Sequence, residues 1–180
     1  MKDRLDATLQ HKIKPLRILI LDVDGVMTDG GIVFDDQGNE SKKFDVRDGH
    51  GIKLLMRTGV TVIILTGRTS QAVAHRALDL GISEVYQGVK NKLAVFEQIL
   101  KEKNILPDAV AYVGDDVVDI PVLRRVGFAA TVADGSHYVK DVADYITERE
   151  GGRGAVREIC ELIMKARGQW SEVTAKYELT

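Results

Sequence analysis

Polar side chains follow three short apolar runs in this sequence. Residues 16–21 lead into DVDG, residues 60–65 lead into TGR, and residues 109–113 lead into GDD. Runs of branched apolar residues that stop at polar clusters are typical of strands buried on both faces of a parallel sheet. Such sheets bind ligands beyond the carboxyl ends of their strands. We therefore expect the three polar clusters to converge on one site.

The DVDG cluster supplies two carboxylates, and GDD supplies a third. Asp22 and Asp24 are two residues apart, so in an extended segment both side chains leave on the same side. Asp115 would join them, and such close carboxylates repel one another unless a cation lies between them. Oxygen donors of this kind suit Mg²⁺, which also binds phosphate oxygens. We predict Asp22 as a nucleophile that forms an acyl phosphate, and Asp24 as the acid and base.

Phosphoryl transfer also requires donors for the phosphate oxygens. The Thr66 hydroxyl and a lysine near the start of a helix over residues 92–103 can supply them. Lys90 and Lys92 are both candidates, and their spacing from the preceding glycine favours Lys92. Among the acids that follow Asp115, we interpret Asp116 as a helix cap and Asp119 as a residue that orients Lys92 or a metal-bound water.

The segments between the apolar runs have helical spacing, which predicts an alternation of strands and helices. Predicted helices cover residues 51–58, 70–80, 92–103 and 154–166, and further short strands cover 84–86, 128–132 and 145–146. The expected fold is α/β, with a three-layer, Rossmann-like and mainly parallel sheet. Residues 31–44 break the alternation, and their two short runs around Gln-Gly-Asn predict an inserted β-hairpin.

Length and composition indicate one domain over residues 1–180, with a polar lead-in over 1–15 and a polar tail over 168–180. At 180 residues and 44% hydrophobic content, the chain is long enough for one core. The mixed charges, 25 basic and 27 acidic, argue against nucleic-acid or anionic-membrane partners. Cys160 is the single cysteine, so an intramolecular disulfide is excluded and a cytoplasmic location is favoured. The charged start of the chain resembles neither a signal peptide nor a membrane span.

Four motifs, DVDGVMTDG, LTGR, GVKNK and GDDVVD, resemble in order those of the haloacid dehalogenase superfamily. With KKFDVRDGHGIK and GGRGAVREI, they make residues 16–167 resemble 3-deoxy-D-manno-octulosonate 8-phosphate phosphatases, enzymes of lipopolysaccharide precursor biosynthesis. The resemblance implies a capless HAD-like domain that hydrolyses this ester with Mg²⁺. It also implies that the metal is held by the carboxylates of Asp22 and Asp115 and the backbone carbonyl of Asp24, and the phosphoryl group by Thr66 and Lys92.

The same resemblance implies a substrate pocket and an assembly. It implies a homotetramer in which the hairpin over 31–44 of a neighbouring subunit covers the active site. Arginine side chains would suit the carboxylate and phosphate of a sugar-acid phosphate. The residues implied to line the pocket are Asp24, Asp45, Val46, Arg47, Asp48, Gly49, Lys53, Arg68, Arg76 and Lys92.

Alternative functions remain open at this level. The chain could hydrolyse another sugar-acid phosphate, such as one of sialic-acid type, or it could be a non-catalytic assembly module that binds phosphate or Mg²⁺. A response-regulator domain also uses a phospho-aspartate, but it lacks an acid two residues beyond the nucleophile. The glycine-rich stretch over residues 151–154 is either an ordinary loop or a segment that approaches substrate or a neighbouring subunit.

Overall fold

The structure is a computed structural model that describes residues 6–178. The strands are β1 (Ile18–Leu21), β2 (Val33–Phe34), β3 (Glu40–Ser41), β4 (Thr61–Leu65), β5 (Glu84–Tyr86), β6 (Val110–Val113), β7 (Phe128–Thr131) and β8 (Tyr145–Ile146). The α-helices are α1 (Ala7–Ile13), α2 (Val46–Arg57), α3 (Gln71–Leu80), α4 (Lys92–Lys103), α5 (Ile120–Leu123), α6 (His137–Lys140), α7 (Ala155–Ala166) and α8 (Trp170–Thr174).

Six strands form a single parallel sheet in the order β5-β4-β1-β6-β7-β8. Strand β1 lies in the middle, where Leu21 pairs with Ile64 of β4 and Val113 of β6. Successive side chains of β1 point to opposite faces, so Leu19 enters one core and Ile20 the other. Burial on both faces explains why this strand reads as a continuous apolar run.

Helices cover both faces of the sheet. Helices α1, α2, α3 and α7 contribute to one core, and α4, α5 and α6 contribute to the other. The amphipathic α7 packs extensively along α2, with Ile159, Cys160 and Ile163 fully buried. The predicted three-layer α/β fold is confirmed, and it leaves the carboxyl ends of β1, β4 and β6 open at one edge.

Strands β2 and β3 form the predicted antiparallel hairpin, hereafter the β2–β3 hairpin, which lies outside the main sheet. Its turn is closed by Asp35, whose side chain accepts hydrogen bonds from the backbone N–H groups of Gln37 and Asn39. Gly38 supplies the positive φ of +82° that this turn requires. The apolar side chains of Val33 and Phe34 remain exposed within this chain.

Three segments differ from the sequence-based expectation. Helix α2 begins at Val46, five residues earlier than expected, because the Asp45 carboxylate accepts hydrogen bonds from the N–H groups of Arg47 and Asp48 and caps the helix. The lead-in contains α1, whose Ile13 is buried in the core, and the tail contains α8.

Among residues 6–178, no helix has both the length and the apolarity needed to cross a membrane.

Candidate active site

A cavity of about 350 Å³ opens beyond the carboxyl ends of β1, β4 and β6. The register of these strands brings the three polar clusters together. Leu21 pairs with Ile64 and Val113, and each polar cluster begins within two residues of these paired positions. Gly25 turns the chain away after β1 with a φ of +85°, and a Cβ atom there would lie 2.0 Å from Oδ2 of Asp115. Predicted residues that line the cavity are Asp22, Asp24, Thr66, Arg68, Lys92 and Asp115, and Lys90 is also at its wall.

Asp22, Asp115 and Asp119 each place a carboxylate oxygen within 4.8 Å of the others. Burial, with the neighbouring negative charges, raises the pKa of Asp22 to about 6 and that of Asp115 to about 7. Oδ1 of Asp22 is buried and accepts no hydrogen bond from the described residues. The carboxylates of Asp22 and Asp115 fit a hard divalent cation such as Mg²⁺, whose positive charge would offset their mutual repulsion.

A buried polar network supports the nucleophile from the side of α4. Nζ of Lys92 forms an ion pair with Asp22, 3.1 Å from its Oδ1, and donates a hydrogen bond to Asp119 at 2.6 Å. Burial lowers the pKa of Lys92, but Asp22 and Asp119 outweigh it and raise the pKa overall. The ammonium therefore stays charged beside the site where a phosphoryl group would lie.

Asp119 is fully buried, and both of its oxygens are engaged. Oδ1 accepts from Lys92 and from the Tyr112 hydroxyl at 2.5 Å, and Oδ2 accepts from the N–H groups of Asp115 at 3.1 Å and Asp116 at 3.3 Å. A carboxylate with four donors has little capacity left for a metal ion. Its position instead fits the predicted role of orienting Lys92, and Asp116 caps the following turn as expected.

The β2–β3 hairpin reaches the same cavity through charged side chains. Lys42 contacts Oδ1 of Asp24 and lies 3.1 Å from Glu40, whose other oxygen accepts a 2.6 Å hydrogen bond from Arg68. That hydrogen bond is the main reason why the pKa of Glu40 falls to about 2. Nε of Arg68 also lies 3.9 Å from Oδ2 of Asp24. The hairpin and the nucleophile loop are thus joined by alternating charges.

The remaining predicted pocket residues lie away from this cavity in the single chain. Asp45 caps α2, and its carbonyl accepts a hydrogen bond from Arg76. Asp48 accepts from the N–H groups of Gly154 and Arg157 at the start of α7. The structure brings none of the following to the cavity wall among its described residues: Asp45, Val46, Arg47, Asp48, Gly49, Lys53 and Arg76.

The glycine-rich stretch packs directly behind the nucleophile loop. A Cβ atom on Gly151 would lie 1.8 Å from the carbonyl oxygen of Gly25, and one on Gly152 would lie 2.4 Å from the backbone of Thr28. The N–H group of Gly152 donates to Val26 at 3.0 Å. Only glycine allows such close backbone contact, so this stretch supports the loop that carries Asp22 and Asp24.

Sequence reasoning missed three contributors to the site. Lys42 belongs to a Lys-Lys pair in the hairpin, and Tyr112 belongs to an apolar run, so neither has a local pattern that indicates a buried polar contact. Gly151 belongs to a motif that was recognised, but its partner Gly25 is distant in the sequence. Contacts of this kind depend on how the strands and loops are brought together.

Comparisons with known proteins show the family to which the chain belongs. A family model described as haloacid dehalogenase-like hydrolase matches residues 79–159. The chain is 47% identical to the 3-deoxy-D-manno-octulosonate 8-phosphate phosphatase KdsC of Escherichia coli K12 over 168 residues, which cover 93% of this chain and 89% of that protein.

Two solved structures are similar throughout. One is 3-deoxy-D-manno-octulosonate 8-phosphate phosphatase from Moraxella catarrhalis in complex with magnesium ion, phosphate ion and KDO, with a TM-score of 0.92, 40% identity and coverage of 94% of this chain and 97% of that one. The other is the cobalt-bound phosphatase YrbI from Haemophilus influenzae, with a TM-score of 0.88, 38% identity and coverage of 94% and 99% respectively. The chain therefore belongs to the 3-deoxy-D-manno-octulosonate 8-phosphate phosphatase family of haloacid dehalogenase-like hydrolases.

Proposed function

We propose that this protein is a Mg²⁺-dependent phosphatase that hydrolyses 3-deoxy-D-manno-octulosonate 8-phosphate during lipopolysaccharide precursor biosynthesis. The observation that carries the proposal is the convergence of Asp22, Asp24 and Asp115 beside Lys92 in one cavity. The family relationship selects the substrate. The alternative substrates are phosphorylated sugar acids of sialic-acid type. A non-catalytic module would not require both a nucleophile and an acid–base residue in this cavity.

In the proposed mechanism, a carboxylate oxygen of Asp22 attacks phosphorus while the ester bond to the sugar breaks. Asp24 donates a proton to the departing sugar oxygen and then removes a proton from the water that hydrolyses the acyl phosphate. Thr66 and Lys92 bind the phosphoryl oxygens, whose negative charge the buried ammonium offsets. Mg²⁺, held by Asp22, Asp115 and the carbonyl of Asp24, would neutralise charge on the phosphate when bound.

Steady-state phosphate release from a panel of sugar-acid and simple sugar phosphates tests this function. We expect a strong preference for 3-deoxy-D-manno-octulosonate 8-phosphate, dependence on Mg²⁺, and no release by Asp22→Asn. Preference for a sialic-acid-type phosphate would overturn the substrate and keep the mechanism. Release by Asp22→Asn at the wild-type rate would overturn the mechanism, and no release by the wild-type enzyme would favour a binding module.

We further propose that a second copy of the chain completes the site, within a homotetramer. Two observations support this. Ile32, Val33 and Phe34 on the β2–β3 hairpin are 49%, 58% and 57% exposed, an apolar surface that association would bury. The predicted sugar-binding residues around Arg47 also lie away from the cavity of their own chain. In an assembly they could therefore contact substrate in the cavity of a neighbouring chain.

Subunit complementation tests the shared site. Asp22→Asn and Arg47→Ala are each expected to be inactive on 3-deoxy-D-manno-octulosonate 8-phosphate. Mixing them after subunit exchange should restore part of the activity, because some sites then receive both intact contributions. A mixture that stays inactive in an oligomer shown to exchange subunits would contradict a shared site. A monomer by sedimentation would contradict the assembly itself.

The location that we propose is the cytoplasm. Cys160, the single cysteine, is fully buried, and burial raises the pKa of its thiol. The chain thus uses no disulfide in its fold, as is usual for proteins of reducing compartments. Fractionation of cells that produce the protein would test this, and recovery outside the cytoplasmic fraction would contradict it.

A further inference from the structure

Lys42 is an unusual residue for an exposed hairpin. Its neighbours Ser41 and Lys43 are exposed, whereas only 1% of its own side chain is accessible to solvent. Removing an ammonium group from water is costly unless carboxylates compensate for the lost hydration. The two carboxylates that do so here belong to Asp24 and Glu40. The buried position of Lys42 is therefore tied to the predicted acid–base residue.

The contact also fixes the direction of the Asp24 carboxylate. Lys42 donates a hydrogen bond to Oδ1, so rotation of the carboxylate would break a partly buried, charge-assisted contact. The hydrogen bond from Lys42 goes to Oδ1, whereas Nε of Arg68 lies 3.9 Å from Oδ2. The hairpin itself has a separate anchor in the 2.6 Å hydrogen bond from Arg68 to Glu40. Lys42 is thus more than a tether for the hairpin.

We propose that Lys42 is a positioning residue for the phosphatase reaction. It holds the Asp24 carboxyl group so that Oδ2 can deliver its proton to the sugar oxygen as the P–O bond breaks and the Asp22–phosphorus bond forms. The inference rests on the proposed function. General acid catalysis contributes about 10²- to 10⁴-fold to such reactions, so partial misalignment should cost about 10- to 100-fold.

The test compares two esters that differ in their need for a proton. The sugar oxygen of 3-deoxy-D-manno-octulosonate 8-phosphate is a poor leaving group and requires protonation, whereas p-nitrophenolate leaves without it. Formation of the phosphoryl enzyme is followed by rapid quench for the wild type, Lys42→Met and the control Lys43→Met, all as full-length protein with Mg²⁺. Thermal unfolding verifies that each variant is folded.

We expect Lys42→Met to slow phosphoryl transfer from the sugar ester about 10- to 100-fold and from p-nitrophenyl phosphate less than about threefold. Lys43→Met should match the wild type on both esters. Equal losses on the two esters would mean that Lys42 only supports the fold or binding, and would overturn the inference, as would unchanged rates. An inactive wild-type enzyme would instead refute the proposed function, and the inference with it.

Discussion

Replacement of Asp119 by asparagine tests the buried network behind the nucleophile. Asp119 accepts four hydrogen bonds, two on each oxygen, from Lys92, Tyr112 and two backbone N–H groups. Asparagine keeps one acceptor oxygen, so two donors lose their partner whichever way the amide is turned. A buried donor without a partner costs about 1–3 kcal/mol, which gives about 2–6 kcal/mol for the pair.

One effect opposes this loss. The negative charge of Asp119 contributes to the raised pKa values of Asp22 and Asp115, so its removal relieves repulsion within the carboxylate cluster. We therefore expect Asp119→Asn to lower the free energy of unfolding by about 3 kcal/mol, towards the lower part of that range. In either orientation of the amide, Lys92 loses the negative charge of its ion-pair partner, so kcat should also fall by at least about tenfold, which corresponds to about 1.4 kcal/mol in the barrier.

Urea unfolding in the presence of chelator measures the stability, and phosphate release measures kcat. Asp116→Asn is the matched control, since Asp116 is exposed and caps one short turn, so it should cost about 1 kcal/mol or less. If Asp119→Asn unfolds with a free energy within about 0.5 kcal/mol of the wild type, the network does not hold Lys92 as described.

Three further predictions concern the metal, the glycine-rich stretch and a buried acid. Mg²⁺ at about 100 times its dissociation constant should stabilise the wild type by about 2.7 kcal/mol against unfolding, and Asp115→Asn should abolish most of that stabilisation. Equal stabilisation of the wild type and the variant would mean that the metal binds elsewhere. Gly151→Ala should lower kcat at least about tenfold, because the added Cβ displaces the nucleophile loop. Gly81→Ala, where a Cβ meets open space, should affect stability alone. Equal kcat values for the two variants would contradict the role of Gly151 in supporting that loop. Burial is the main cause that raises the pKa of Asp48 from 3.8 to about 6 in the folded state, so the unfolded chain loses this proton first and stability falls as pH rises from about 4 to about 6. Urea unfolding at a series of pH values should show a smaller fall in the free energy of unfolding for Asp48→Asn than for the wild type. The same pH dependence in both proteins would refute the role of Asp48.

The sequence was informative where chemistry and strand pattern coincide. Apolar runs that end in DVDG, TGR and GDD predict both the central strands and the edge at which they meet, because buried parallel strands need continuous apolar residues. Convergence of Asp22, Thr66 and Asp115 follows from that topology alone. Helix α4 has the bounds that its helical spacing predicted, and in the structure Asn91 caps its start and Asn104 ends it with a positive φ of 50°.

Side-chain contacts between distant segments could not be predicted in the same way. The DVRDG segment was interpreted as part of a substrate pocket, and its local role in capping α2 was not foreseen. The segment can both cap α2 and line a substrate pocket if its exposed side faces the active site of a neighbouring subunit. The sequence of one chain does not show where a neighbouring subunit lies. Lys42 shows the same limit, since its burial depends on how the hairpin folds over Asp24.

Transfer of the phosphoryl group to Asp22 is the central claim of this account. The most direct test mixes the enzyme and Mg²⁺ with 3-deoxy-D-manno-octulosonate 8-phosphate carrying radioactive phosphorus, stops the reaction in acid within milliseconds, and measures label on the protein. We expect transient label on Asp22 in the wild type, and none in Asp22→Asn or with chelator. Complete turnover without label on the protein, or label retained by Asp22→Asn, would contradict the account.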